Sequence, residues 1–347
     1  MNARSGDATL ADLDIELADG RPAVIVTNRV TDLAAGREWL AEYRTAIRQA
    51  LHRFGSVLIR GLPVDSTAAF AAARDQLLDQ RVPYREKSTP RSDFGEGVYS
   101  STDMPAMHPI RLHNENSYVL DFPGVLLFGC VVAPDEGGAT TVGDSREVLA
   151  RVDPAVRDRF ARDGWALLRN YHPSMSLPWS TAFGTDDRNA LEDYFRSMRI
   201  AWHWYPGDRL LTSQRRSVVV RHPETGEPTW FNHVAFWNRF TLNPEMREVL
   251  LASYGEDGLP YDTVYGDGEP VSAEVIEHLN DVYDQVARRE TYRVGDLLLV
   301  DNLLACHGRE PYRGDRRILV AMGEPRALAD CAPQTPPAPG PLPGSAG

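Results

Sequence analysis

The stretch VGDLLLVDNLLACHGREPYRGDRRILVAM, residues 294–322, decides how the rest of the chain is read. A Gly-Asp turn opens it, residues 297–300 form a short apolar strand, and a polar loop separates His307 from an arginine pair, Arg316 and Arg317, that enters a second apolar run. Two such strands joined through a histidine put a possible ligand at the edge of a β-layer. The sequence upstream repeats the pattern of short apolar runs cut by turns: SVLIRGLPV, GVLLFGCVVAP, WALLRNY, IAWHWYPG and SVVVRHPETGEPTWFN. Strands this short at irregular spacing predict a sandwich or barrel rather than a doubly wound sheet.

Helices fill the intervals. Thr31 is the expected N-cap of a helix in which Leu40, Tyr43, Ile47 and Leu51 recur at helical spacing and Gly55 provides the stop. A second helix is expected over STAAFAAARDQLL, and others at about 145–163, 187–199 and 272–290. Residues 1–20 carry little pattern and the end, CAPQTPPAPGPLPGSAG, is rich in Pro and Gly. One domain over 21–325, between a flexible 1–20 segment and a flexible 326–347 tail, is the expected organisation.

Composition narrows the function. The net charge of −12 comes without a Lys/Arg cluster, which argues against nucleic acid and anionic membranes and leaves a small molecule as the partner. No apolar run reaches membrane-spanning length, and the N-terminus lacks a basic region followed by an apolar one, so a cytoplasmic protein is expected. Cys130, Cys306 and Cys331 are odd in number and far apart, giving neither a disulfide framework nor a CxxC metal pair.

The stretch RLHNENSYVL, residues 111–120, holds His113 and Glu115 two apart. With 9 His and 49 Asp+Glu among 347 residues, chance supplies about 1.3 such pairs, so the motif alone is weak. A second pair, His222 and Glu224 in HPETGEP, tests it: a proline between the two and a Thr-Gly turn behind them mark Glu224 as a hairpin-loop residue. Ligands at i and i+2 converge only on an extended segment or its end, and RLHNENSYVL runs on toward an apolar strand. With distant His307 it makes two histidines and one carboxylate, the facial arrangement of non-haem Fe(II) oxygenases, with open positions left for a 2-oxo acid and O2.

His-x-Glu, then GGATT, then GDLLLVDN…HGR…RRI, with SVLIRGLP, HNENSY, HPETGEPTWFN and YGDGEPV, resembles the TauD/TfdA superfamily of Fe(II)/2-oxoglutarate dioxygenases over roughly residues 55 to 325. It looks closest to the syringomycin-biosynthesis-type (SyrP-like) branch that hydroxylates amino acids. The resemblance implies a mainly β, double-stranded β-helix (jelly-roll, clavaminate synthase-like) core with flanking helices, and Fe(II), 2-oxoglutarate and O2 as cofactors. It implies His113, Glu115 and His307 as iron ligands, and Arg317 as partner of the distal carboxylate of 2-oxoglutarate, with Arg316 in its place if the register is off by one. Thr140 would assist that arginine. A guanidinium matches a carboxylate with two parallel donors, which lysine cannot do.

Two departures restrict the substrate. The carboxylate is Glu where sulfonate-cleaving members have Asp, and Ala321 stands where they carry a second arginine, so sulfonates are disfavoured. A carboxylate at 115 also disfavours the halogenating relatives, which have a small residue there. Within TWFNHVAFWNRF, Trp230, Phe231 and Asn232 are the candidate substrate walls, with core packing as the alternative. His233, His172 and His203 read as structural, Cys306 as pointing away from His307, and Asp301 and Asn302 as either orienting groups or turn formers.

The expected reaction is hydroxylation of an unactivated C–H of an amino acid or amino-acid-derived unit, free or tethered to an aminoacyl carrier protein, with release of succinate and CO2. Desaturation, epoxidation or cyclisation by the same chemistry stays open, as do, from other classes, a metal-dependent hydrolase and a non-catalytic jelly-roll binding protein.

Overall fold

The computed structural model describes residues 8–27, 30–82, 86 and 91–343. Its backbone is a seven-stranded sheet in the order Ile15–Glu16, Ala23–Val26, Ser56–Arg60, Leu297–Asp301, Asp121–Val132, Arg317–Ala327, Val98–Ser100. Both faces of this sheet are covered, and the alternation of side chains divides two cores between them. Val57, Ile59, Leu127, Leu297, Leu299 and Leu319 turn toward two helices, Leu33–Phe54 and Thr67–Leu77, meeting Leu40, Ile47, Leu51 and Phe70. Leu58, Leu126, Phe128, Leu298, Ile318 and Val320 turn the other way, toward Val142 and Ala305.

Those last two residues belong to a three-stranded sheet, Ile110–His113, Ala305–Arg309 and Val142–Asp144, with Ala305–Arg309 in the centre. The two sheets therefore face each other as the halves of a jelly roll. A further sheet, Ala201–Tyr205, Arg209–Arg216, Trp165–Tyr171 and Tyr261–Tyr265, adds a second lobe of packing around Trp165, Trp230 and Tyr283. The hairpin of Val219–Arg221 with Pro228–Trp230 places Glu224 in its loop, as the Thr-Gly turn predicts.

Local chemistry explains the helix bounds. The first helix is capped by Asp32, whose carboxylate accepts from the Ala35 amide at 2.9 Å, one residue after the expected Thr31. Gly55 closes it at φ 72°, a left-handed value glycine adopts without penalty. Ser66 caps the second helix as expected. The helix expected over 145–163 is two, Ser145–Arg151 and Pro154–Asp163, because Pro154 suits a first turn and not an interior. The expected helices at 187–199 and 272–290 are Arg188–Ser197 and Ala273–Val286.

The ends correct one expectation. Ile15–Glu16 pairs with Ala23–Val26, and Ala338–Pro339 pairs with Arg209–Arg216. Leu328 and Cys331 are buried in the core, so the described parts of 1–20 and of 326–347 are docked rather than flexible. A Pro-rich tail makes no structure of its own, yet its extended backbone fits an open sheet edge. Residues 1–7 and 344–347 lie outside the described residues. The three cysteines are free and buried, and burial pushes each thiol up to about 12. No helix among the described residues is long and apolar enough to cross a membrane.

Gly129 marks where strand and helix come closest. A Cβ there would lie 2.3 Å from the Phe70 ring, so Gly129→Ala is expected to cost about 1–3 kcal/mol in urea unfolding. Combined with Phe70→Leu, it should cost less than the sum of the two single changes.

Candidate active site

Antiparallel pairing sets His113 directly opposite His307 on neighbouring strands of the three-stranded sheet. Alternation sends their neighbours Leu112 and Cys306 to the opposite face, into the core. The two imidazoles stand 4.6 Å apart between centroids. The strand stops at His113, Glu115 follows two residues on beside the rings, and Asn116 then takes φ 52°, a left-handed value that Asn tolerates. One ligand atom from each of His113, Glu115 and His307 lies within 4.8 Å of the others.

This donor set fits a divalent metal ion. The His113 Nδ1–H donates to the Arg111 carbonyl at 2.8 Å, which fixes the tautomer and leaves Nε2 with its lone pair. Burial lowers the pKa of both histidines, so both rings are neutral. His307 presents Nε2 to Glu115 Oε2 at 3.7 Å, and its ring packs against Phe128. The same carboxylate oxygen accepts from Arg91 at 2.9 Å in a buried ion pair.

Glu115 is positioned through its backbone. Asn302 accepts from the Glu115 amide at 2.7 Å and donates to the Glu115 and Pro123 carbonyls at 2.9 and 2.8 Å. Asn114, between the two ligands, donates to the Asn302 and Ala305 carbonyls, binding the two ligand-bearing segments together. Asn302 is thus an orienting group, while Asp301 is a turn former that caps the Leu303 and Leu304 amides at 3.0 Å.

A small cavity of about 40 Å³ lies over the triad. Thr140, Ser101 and Arg316 line the same cavity. Arg316 donates to the Gly138 carbonyl at 2.9 Å and to Ser101 Oγ at 3.3 Å. The Tyr292 hydroxyl donates to Thr140 Oγ1 at 2.9 Å, which leaves the proton of Thr140 itself to donate elsewhere. A guanidinium and a hydroxyl that line one cavity with a metal-binding triad can hold a carboxylate.

The structure does not bring Arg317 to this cavity. It is exposed, with its guanidinium 5.8 Å from the Phe94 ring, and Arg316 takes the inward position. Arg316 immediately precedes the strand, two residues from inward-facing Ile318, while Arg317 between them turns to solvent. Trp230 and Phe231 are core residues, packed against Phe160 and Phe122, and buried Asn232 meets Asn114 through its backbone, so none of the three lines the cavity. The walls come instead from later in the same segment, His233 and Phe236. His233, read as structural, accepts or donates at 2.6 Å to Ser117 and stands 4.8 Å from the His113 ring.

His222 belongs to a second cluster with His52 and Asp301. There the Thr225 amide donates to His222 Nδ1 at 3.1 Å, so the ring proton sits on Nε2 and points at Asp301 Oδ2, 3.0 Å away. A nitrogen that carries a proton has no lone pair for a metal, and the cluster is a hydrogen-bonded clamp.

The family model for taurine catabolism dioxygenase TauD, TfdA family matches residues 19–322. The chain belongs to this family. With the family come its reaction class and cofactors: a dioxygenase using Fe(II), 2-oxoglutarate and O2. Among relatives of this TauD/TfdA protein, the dapdiamide synthesis protein DdaC of Enterobacter agglomerans is 33% identical over 309 residues, covering 89% of this chain and 93% of the relative. A clavaminate synthase-like protein of Arabidopsis thaliana is 25% identical over 284 residues, covering 78% and 82%. A taurine dioxygenase from Burkholderia xenovorans shares the fold, with a TM-score of 0.52, 16% identity and coverage of 92% of this chain and 94% of that one. PvcB of Pseudomonas aeruginosa does likewise, with a TM-score of 0.51, 17% identity and coverage of 93% and 94%.

Because Asn302 satisfies the amide and the carbonyl of Glu115 inside the protein, Asn302→Ala leaves buried groups unpaired. It is expected to lower unfolding free energy by about 2–4 kcal/mol in urea titration, whereas Asp93→Ala at the surface should leave it unchanged.

Proposed function

We propose that the protein hydroxylates an unactivated C–H bond of an amino acid or amino-acid-derived small molecule in specialised metabolism, with iron held by His113, Glu115 and His307 and the distal carboxylate of 2-oxoglutarate held by Arg316 and Thr140. The observation that carries this reading is one cavity whose lining includes His113, Glu115 and His307 together with Arg316 and Thr140.

Bound together, iron(II), 2-oxoglutarate and O2 supply an oxidant strong enough for an unactivated C–H bond, with succinate and CO2 as products. The chain's residues do the positioning. Arg316, anchored by Gly138 and Ser101, offers donors to a carboxylate, and Thr140 adds its hydroxyl. Asn302 and Asn114 hold Glu115 and the two histidine segments in register. Phe128 and Phe236 add apolar rings to the lining of the same cavity.

Glu115 supports hydroxylation over halogenation, because a carboxylate fills the place a halide would need. The similarity to a protein named for dapdiamide synthesis supports specialised metabolism. A hydrolase would have no use for Arg316 and Thr140 in the cavity that holds the triad.

Anaerobic titration with Fe(II) and 2-oxoglutarate should produce the metal-to-ligand charge-transfer band of a chelated 2-oxo acid, and His113→Ala should abolish it. An undiminished band in that variant sinks the ligand assignment. Arg316→Leu is expected to weaken 2-oxoglutarate binding by roughly 100-fold, the scale of losing a buried charge partner, and Arg317→Leu to leave it near wild type. The reverse result returns the role to Arg317. Mass spectrometry of products tells a gain of oxygen from a loss of hydrogen.

A further inference from the structure

The cavity over the triad is lined by a third histidine, His233, to which the iron and 2-oxoglutarate reading gives no task. It follows shortly after the strand Pro228–Trp230 and is only 3% exposed. Aromatic rings surround it, with centroids 4.8 Å away at His113, 5.3 Å at Tyr118, 5.8 Å at Phe236 and 6.3 Å at Trp237. A buried imidazole must still satisfy both of its nitrogens.

One of them is settled by Ser117, whose Oγ lies 2.6 Å from His233 Nδ1. The shared proton belongs to one of the two, and burial decides which. Ser117 is fully buried, and among the described residues its hydroxyl has no partner besides this nitrogen. If His233 donated, the Ser117 proton would be left in the interior without an acceptor. The hydroxyl therefore donates to Nδ1, and the ring proton of His233 sits on Nε2. Burial, with His113 and His307 nearby, lowers the pKa of the ring and keeps it neutral.

Among the described residues the protein offers Nε2–H no acceptor. Nor is this nitrogen sealed in packing, so it opens on the cavity that the ring lines. His233 is absent from the walls of the larger cavity of about 560 Å³ alongside, which places its acceptor in the small one. There Arg316 and Thr140 are taken by the distal carboxylate of 2-oxoglutarate. The acceptors left over are the 2-oxo oxygen and the carboxylate beside it, the end of the molecule that belongs with the triad.

We infer that His233 donates its Nε2–H to the 2-oxo acid end of 2-oxoglutarate, and that Ser117 is a positioning residue that sets the tautomer able to do so. This rests on the iron and 2-oxoglutarate reading of the same site. A neutral donor suits the place, because it holds an acceptor oxygen without repelling a metal ion beside it. The two ends of 2-oxoglutarate are then read by different means, a guanidinium for the distal carboxylate and an uncharged imidazole for the 2-oxo acid.

The test uses the full chain, loaded with Fe(II) under anaerobic conditions and titrated with 2-oxoglutarate, reading both the affinity and the position of the charge-transfer band. A hydrogen bond to the 2-oxo acid lowers the orbital that receives the electron, so its removal moves the band to shorter wavelength. His233→Leu is expected to do this and to weaken 2-oxoglutarate binding by roughly 10- to 100-fold, the scale of a hydrogen bond to a charged group, with Fe(II) affinity unchanged. His233→Gln, whose amide nitrogen reaches about as far as Nε2, should restore most of both, and Ser117→Ala should lie between wild type and His233→Leu. An unmoved band with unchanged affinity in His233→Leu, a loss of Fe(II) binding in that variant, or a folded His233→Gln that behaves like it overturns the assignment. Wild-type protein decides the matter without any variant: with Zn(II) in place of Fe(II) and 15N-labelled histidine, adding 2-oxoglutarate should move a histidine Nε2–H proton downfield, and no such response overturns the assignment. Failure of the iron reading shows separately, as absence of the band in wild-type protein.

Discussion

His113 and His307 meet because two short strands pair antiparallel in one register, and every other feature of the site depends on that pairing. A slip of either strand by one residue would turn its histidine into the core and bring the neighbouring Leu112 or Cys306 out. The register is held from outside the strands. Asn114 ties the segment carrying His113 to the Asn302 and Ala305 carbonyls, and Asn302 returns the contact to Glu115. The geometry for metal binding is therefore built from amide groups that never touch the metal, which is how precise sites are kept rigid.

The sheet behind the site explains the location of the cavity. Covered by helices on one face and by the smaller sheet on the other, the seven-stranded sheet has no solvent face to bend toward. Polar side chains on its inner face persist only where a ligand or a partner meets them. Arg316 enters at the end of its strand, against Ser101 and Gly138, where the ladder loosens into a bulge at Arg317 and Ile318.

Much of this was legible in the sequence, and the failures share one cause. His113, Glu115 and His307 could be read because ligand chemistry is rare and its spacing is informative, and structure brings all three together. The choice between Arg316 and Arg317 could not, because the ILVAM that follows them is apolar at every inward and outward position alike. A strand buried on both faces carries no record of its parity. Trp230 and Phe231 failed for a related reason: large rings suit a core as well as a pocket, and only the turn after Asn232 puts His233 and Phe236 on the cavity side. Tyr292 and Arg91 stand in stretches with no motif, and long-range packing alone brings them to the site.

The Phe236 ring lies nearly flat on His113, 4.6 Å between centroids and 16° from parallel. With one face covered in this way and its Nδ1–H held by the Arg111 carbonyl, the imidazole has little freedom to turn about its own side-chain bonds. Its ligand nitrogen is therefore aimed in advance, and capture of an ion spends little ordering entropy on that side chain.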